Sequence, residues 1–156
     1  MRELRSRGAV TPDLIATATL VLDTRGPGFT EFTREAARFV AEVGAGEGVL
    51  NLFVRHTSAS LVIQENADPD VQTDLVAALD RIAHVDAGWV HDTEGPDDTP
   101  AHVKSMVTGV SLQVPVIGGA LALGTWQGIY LAEHRTQPHR REVVLQFIGA
   151  RRRTPA

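Results

Sequence analysis

LNLFVRHTSASLVIQENADPDVQTDLVAALDRI, residues 50–82, holds two strands and a helix in succession. Leu50, Leu52 and Val54 alternate with Asn51, Phe53 and Arg55 at strand period. His56-Thr57-Ser58 reads as a tight polar turn, and Leu61 and Ile63 belong to a second strand, expected to form a hairpin with the first. Asp68 then caps a helix with Pro69 at its first position, because proline has no N–H to lose there. Val71, Leu75, Leu79 and Ile82 recur at spacings of four, four and three, which lines one helix face.

Working outward, residues 14–22 (LIATATLVL) are rich in β-formers and read as a strand, and the Gly/Pro-rich residues 24–29 as a loop. Thr33 is placed to cap a helix running through Val43, with Ala36, Phe39, Val40 and Val43 on one face and Gly44 past its end. Residues 84–101 carry no periodicity, and a loop this long in a compact domain is often functional. A short helix is expected from Thr99 as cap and Pro100, through His102, Lys104 and Ser105, to a stop at Gly109. Strands follow at 110–116, 121–131 and 143–148, with Gly118-Gly119 as a hairpin signal. This order does not alternate as a doubly wound fold would. It predicts one compact α+β domain, a mostly antiparallel sheet with helices packed on it, with its core at about 14–149 and a basic tail at 150–156.

The 156 residues suffice to bury a core. No cysteine is present, so a metal would have to sit on His, Asp or Glu, and a reducing, cytoplasmic setting is expected. The start lacks the apolar core of a secretory signal, and no apolar run is long enough to span a bilayer. A net charge of −4 argues against a general nucleic-acid binder; Arg151-Arg152-Arg153 reads as a solvated, dispensable tail.

Four of the six histidines fall in three polar stretches: His56 to Ser60 with Gln64 to Asp68, His91 to Ser105, and Leu123 to Arg135. Each stretch also has a plain structural reading. A strand-end histidine is commonly just hydrogen-bonded, Asp97-Asp98 suits the turn ahead of a helix, and Trp126 beside Gly124 suits a core aromatic over a close backbone approach. Concentration is what points to chemistry, since imidazoles with one or two carboxylates make a divalent-metal site where thiolates are lacking. The spacing of His91 and His102 matches no simple signature such as HExxH. Lys104 and Ser105 near a helix start would suit an anionic phosphate.

The strings HTSASLVIQENADPDV (56–71), EGPDDTPAHVKS (94–105) and LGTWQGIYLAEHR (123–135) resemble the YjbQ-like family, whose members are commonly described as secondary thiamine-phosphate synthases. The resemblance runs from about Leu14 to Gly149. It implies a homotrimer, and one pocket formed by His56, Glu65, Asn66, His91, His102, Lys104, Ser105, Gly124, Trp126, Gln127 and Glu133. Gln64 stands where the family often has Asn, and RTQPHRR (135–141) lacks its Gly-Pro-Arg turn, which leaves open whether Arg140 or Arg141 supplies the usual cation. The activity so implied is thiamine-phosphate synthesis from phosphorylated heterocycles with a divalent metal, Mg or Zn. On that reading His56, His91 and His102 hold the metal, and His56, Glu65 and His102 are catalytic, Glu65 as base or orienter. Lys104, Ser105 and Arg140 hold phosphate, the acids around Asp97 supply further metal ligands, and Asn66, Trp126, Gln127 and Glu133 complete the substrate site. A metal-dependent hydrolase using the same His/Glu pocket, and a non-enzymatic binding or structural trimer, are the alternatives.

Overall fold

The computed structural model describes Glu3 and residues 8–153. The elements are β1 (Leu14–Thr24), β2 (Gly28–Glu31), α1 (Thr33–Glu42), β3 (Ala45–Val54), β4 (Ala59–Glu65), α2 (Pro69–Ile82), α3 (Asp98–Thr108), β5 (Ser111–Ile117), β6 (Ala120–Leu121), β7 (Gln127–Glu133) and β8 (His139–Arg151). They form a five-stranded sheet in the order β1-β8-β3-β5-β6 and a three-stranded sheet in the order β2-β7-β4. Every strand pairing is antiparallel. The inward faces of both sheets meet α1 over a core in which Phe32, Leu50, Leu61, Ile129, Val143 and Phe147 are fully buried. The α+β expectation holds.

Three details differ from the sequence reading. β3 and β4 do not form a hairpin: β3 is central in the large sheet, whereas β4 pairs with β7 in the small one. His56-Thr57-Ser58 therefore hands the chain from one sheet to the other, and Ala59 to Leu61 arrive buried. The single strand expected at 121–131 is split for the same reason. Gln127 N–H donates to Gly124 O (3.0 Å) and Gln127 Oε1 accepts from Gly124 N–H (2.8 Å), a turn that passes the chain to the small sheet. Residues 28–31, the first two of them from the expected loop, form an edge strand on β7.

α2 starts as the sequence predicts, with Asp68 Oδ1 accepting from Asp70 N–H at 2.9 Å. α3 begins a residue ahead of Thr99, at Asp98, and ends at Gly109, whose φ of +96° favours glycine. α1 has Phe32 at its N-cap, without a side-chain cap bond. Thr33 Oγ1 instead accepts from Ile129 N–H (2.9 Å), tying the helix to β7.

The basic tail also departs from expectation. β8 continues through Arg151, whose N–H donates to Asp13 Oδ1 (2.8 Å), and Arg152 N–H donates to Gly44 O (2.7 Å). Cutting the chain after Ala150 would remove the last strand residue, Arg151, and the Arg152 bond to Gly44 as well as solvated charge. Among the described residues no helix is long and apolar enough to cross a membrane.

Candidate metal centre

α3 carries the centre. Asp98 and His102 lie one turn apart on one face of it, and His91 is brought alongside by the loop that precedes the helix. Thr99 Oγ1 fastens that loop by donating to His91 O at 2.8 Å. His91 Nε2 and His102 Nε2 each stand 3.1 Å from the same oxygen, Asp98 Oδ2, with ring centroids 6.3 Å apart. One ligand atom from each of the three residues falls within 4.8 Å of the others.

The hydrogen bonds around the group set its chemistry. His102 Nδ1 donates to Thr57 O (2.9 Å), so in the neutral ring Nε2 carries the lone pair, and that lone pair faces a carboxylate oxygen. Two electron-rich atoms meet in this way only with a cation between them. A proton satisfies the requirement, and so does a metal. Metal bonds of about 2.1 Å in tetrahedral array put neighbouring ligand atoms about 3.4 Å apart, close to the 3.1 Å separations here. Asp98 is 2% exposed, whereas the His91 and His102 side chains are half-exposed, so the group opens toward solvent on its imidazole side.

Arg135 holds the carboxylates behind this opening. Its Nη1 bonds Asp98 Oδ1, its Nε bonds Asp97 Oδ2 (3.2 Å), and its Nη2 donates to Glu94 O (2.8 Å). Burial raises the Asp97 carboxyl, but the Thr136 N–H and hydroxyl and the Arg135 guanidinium together bring it below its ordinary value. Asp98, which the sequence offered both as turn chemistry and among the acids around Asp97, is thus a candidate donor at the centre. The i, i+4 spacing to His102 was the signal available for it.

His56 does not join the group. Its Nε2 accepts Glu142 N–H at 2.9 Å, extending the β3–β8 edge, and burial followed by the Arg141 charge lowers its pKa. Asp98 takes the place expected for it among the ligands. Glu65 lies at the far end of β4: Ala59 pairs with Glu133 and Glu65 with Gln127, six residues along, or roughly 20 Å at strand rise. The Glu65 carboxylate accepts from Ala67 N–H and Asp68 N–H, fixing the entry to α2. Asn66, whose N–H donates to Trp126 O, joins Gly124, Trp126 and Gln127 at this end. Trp126 is 65% exposed, not the core aromatic expected. Within one chain the residues of the anticipated pocket therefore form separate clusters.

Two of the three anticipated phosphate-binding residues are engaged elsewhere. Ser105 Oγ donates to Ala59 O (2.9 Å), and Lys104 Nζ is paired with Asp80. Arg140 is exposed on β8, while Arg141 is buried against Glu133. His134, unassigned by the sequence, is 3% exposed with Nε2 2.8 Å from Ser60 Oγ, and burial lowers its pKa to about 4. An unfolded histidine takes its proton near pH 6.5, so the unfolded chain binds more protons between pH 6.5 and 4. Stability is expected to fall by about 3 kcal/mol as pH drops through that window. Urea titrations at pH 7 and 4.5 check this, and in H134Q the decline should shrink by a similar amount.

The profile of the family described as "UPF0047 protein YjbQ-like" matches residues 18–150. A UPF0047 protein of Synechocystis is 47% identical over 131 residues, covering 83% of this chain and 89% of that protein. The UPF0047 protein YjbQ of Salmonella typhimurium is 42% identical over 132 residues, covering 84% and 96%. Among solved structures, an uncharacterized conserved protein of the yjbq/upf0047 family from Clostridium acetobutylicum superimposes with a TM-score of 0.78 at 35% identity, covering 83% of this chain and 98% of its own. A hypothetical protein from Aeropyrum pernix gives 0.80 at 29% identity, covering 86% and 98%.

Proposed function

The chain belongs to the YjbQ-like UPF0047 family, and we propose that it is a metal-dependent hydrolase of small phosphorylated substrates, with His91, Asp98 and His102 as its metal ligands. The observation that carries this reading is the meeting of two imidazole nitrogens on one buried carboxylate oxygen, on a side open to solvent. Two histidines and a carboxylate suit Zn²⁺, leaving a position for water, and a bound zinc would lower the pKa of that water toward neutrality. Asp98 supplies the charge that draws the cation, Thr57 O fixes the His102 tautomer, and Arg135 leaves only one Asp98 oxygen facing the histidines.

Thiamine-phosphate synthesis, which the family resemblance implies, calls for cations on the phosphates of both precursors. Lys104, Arg135 and Arg141 are each paired inside the chain while Arg140 is exposed, and hydrolysis of a single phosphorylated substrate asks for fewer cations than joining two. The proposal includes a cytoplasmic homotrimer, in which a neighbour's Glu65 and Trp126 rim would approach the centre across a subunit boundary. Light scattering should then give about 50 kDa, three times the 16.8 kDa of one chain. A monomer mass at micromolar protein would end the trimer.

The experiment for the activity uses protein purified without a histidine tag. One zinc per chain and zinc-restored hydrolysis of p-nitrophenyl phosphate after chelation are expected. No metal uptake overturns the reading. Pyrophosphate released only when both thiamine precursors are present would replace hydrolysis by the synthase reaction.

A further inference from the structure

Behind α3, on the side away from the metal ligands, lies a cleft of about 210 Å³ roofed by the C-terminal end of α2. Two positions along a helix turn a side chain by about 200°, so Lys104 faces this cleft while His102 faces the centre. The walls are largely apolar, from Pro27, Ala83, Val85 and Pro100. Among its polar lining residues, Asp80, His84, Asp97, Lys104, His134 and Thr136, Lys104 brings the ammonium: its side chain is 8% exposed and paired with Asp80, whose own side chain is 55% exposed on α2.

A buried ammonium requires a partner, because desolvating it alone is unfavourable by several kcal/mol. Nothing comparable holds Asp80 in place, since it stays largely hydrated and α2 has no buried residue. The remaining polar groups of the cleft are engaged: Asp97 with Arg135 and Thr136, His84 with Asp86, and His134 with Ser60. We propose that the cleft is a binding site for a small organic carboxylate, whose anionic end replaces Asp80 on Lys104 while its short apolar body lies along the proline and alanine walls. Asp80 marks the position of the ligand carboxylate from within the chain. A phosphate dianion would call for a second cation, and the nearest candidates are committed, Arg135 to Asp97 and Asp98 and Arg141 to Glu133. One ammonium matches a monoanion. A partly apolar recess with a few convergent polar groups is the usual form of a small-ligand site.

The probe is sodium butyrate, with butyramide as its uncharged analogue, titrated calorimetrically into the full chain at constant ionic strength. Saturable binding of butyrate at one site per chain is expected, with none for butyramide. D80A removes the tethered competitor and should bind butyrate about tenfold more tightly or better. K104M should bind none and still fold, because it replaces a buried charge by a buried apolar group and leaves Asp80 in water. Equal responses to butyrate and butyramide, no saturable binding to the wild type, binding retained in K104M, or no tightening in D80A would each overturn the proposal. Should D80A fail to fold, the wild-type and K104M titrations decide it alone.

Discussion

Changing Asp98 to Asn should abolish divalent-metal uptake and leave the chain folded. The asparagine keeps a carbonyl oxygen for Arg135 in the position of Oδ1, and its amide can donate to the lone pair of His102 Nε2 or His91 Nε2. The cation that the aspartate required is no longer required. An anionic oxygen ligand is replaced by a neutral amide, so zinc affinity should fall by more than about 100-fold, beyond the loss typical of an outer-shell partner. H102A should do the same, since it removes a ligand whose other nitrogen is already fixed on Thr57 O. Competition against a chromophoric chelator measures the affinity, and the melting temperature without metal verifies the fold. D98N with wild-type affinity would show that the three residues form only a hydrogen-bonded cap on α3. H56A provides the contrast: its Nε2 accepts a backbone N–H, so it should leave zinc binding unchanged.

The difference between His56 and Asp98 shows how far the sequence can be read. Local signals were sufficient where a residue's role is settled within one turn. Asp68 and Pro69 start α2 as their chemistry dictates, and Gly109 stops α3. The hairpin expectation at 50–63 failed because period-2 alternation specifies a strand and is silent about its partner. β3 and β4 each alternate acceptably, yet their partners lie 58 (Phe53 to Ser111) to 106 (Ala45 to Arg151) positions further along the chain. That long-range choice also divided the anticipated pocket. His56 and Glu65 are nine positions apart in sequence, but β4 runs straight between the two ends of the small sheet and separates them. Asp98 had the opposite fate: its sequence neighbours suggest a turn, and only the return of β7 into Arg135 shows that one of its oxygens is held back while the other faces two histidines.

The same strand end explains why the centre can be rigid although its histidines are half-exposed. Glu133 closes β7, and its carboxylate accepts from the N–H groups of His134 and Arg135, each at 2.9 Å. It therefore sets the direction in which Arg135 leaves the sheet toward Asp97 and Asp98. Arg141 from β8 holds Glu133 in turn, through Nε at 2.7 Å and Nη2 at 2.6 Å, and reaches Ser58 Oγ at 3.1 Å. Arg141, Glu133, Arg135 and Asp98 form one chain of ion pairs and hydrogen bonds, joined at Arg135 through its backbone N–H, from the large sheet, through the small one, to α3.

R141M is therefore expected to be the most damaging single substitution for stability. Glu133 is 2% exposed and Arg141 3%, so the pair is desolvated and removing one member leaves a buried charge. The expected loss is about 3–5 kcal/mol. For a chain of this size that lowers the melting temperature by roughly 10 °C. Burial alone would raise the Glu133 carboxyl, but Arg141, the Arg135 N–H and the Thr24 hydroxyl hold it below its usual value. In the wild type that depressed carboxyl contributes stability above the ordinary carboxylate pKa of 4.5, which is lost as pH falls through the lower folded value. Without Arg141 the burial effect prevails, the carboxyl shifts upward, and acid unfolding should begin at higher pH than in the wild type. E133Q/R141M separates charge from packing: its amide oxygen can still accept from the His134 and Arg135 N–H groups, which share Oε1, while carrying no charge, so it should recover part of the loss. Urea titration of the three proteins at pH 7 and pH 5 measures both effects. A loss below about 1 kcal/mol in R141M at pH 7, the scale of a solvent-exposed ion pair, would mean that water reaches Glu133 and that the chain of ion pairs and hydrogen bonds does not hold the centre.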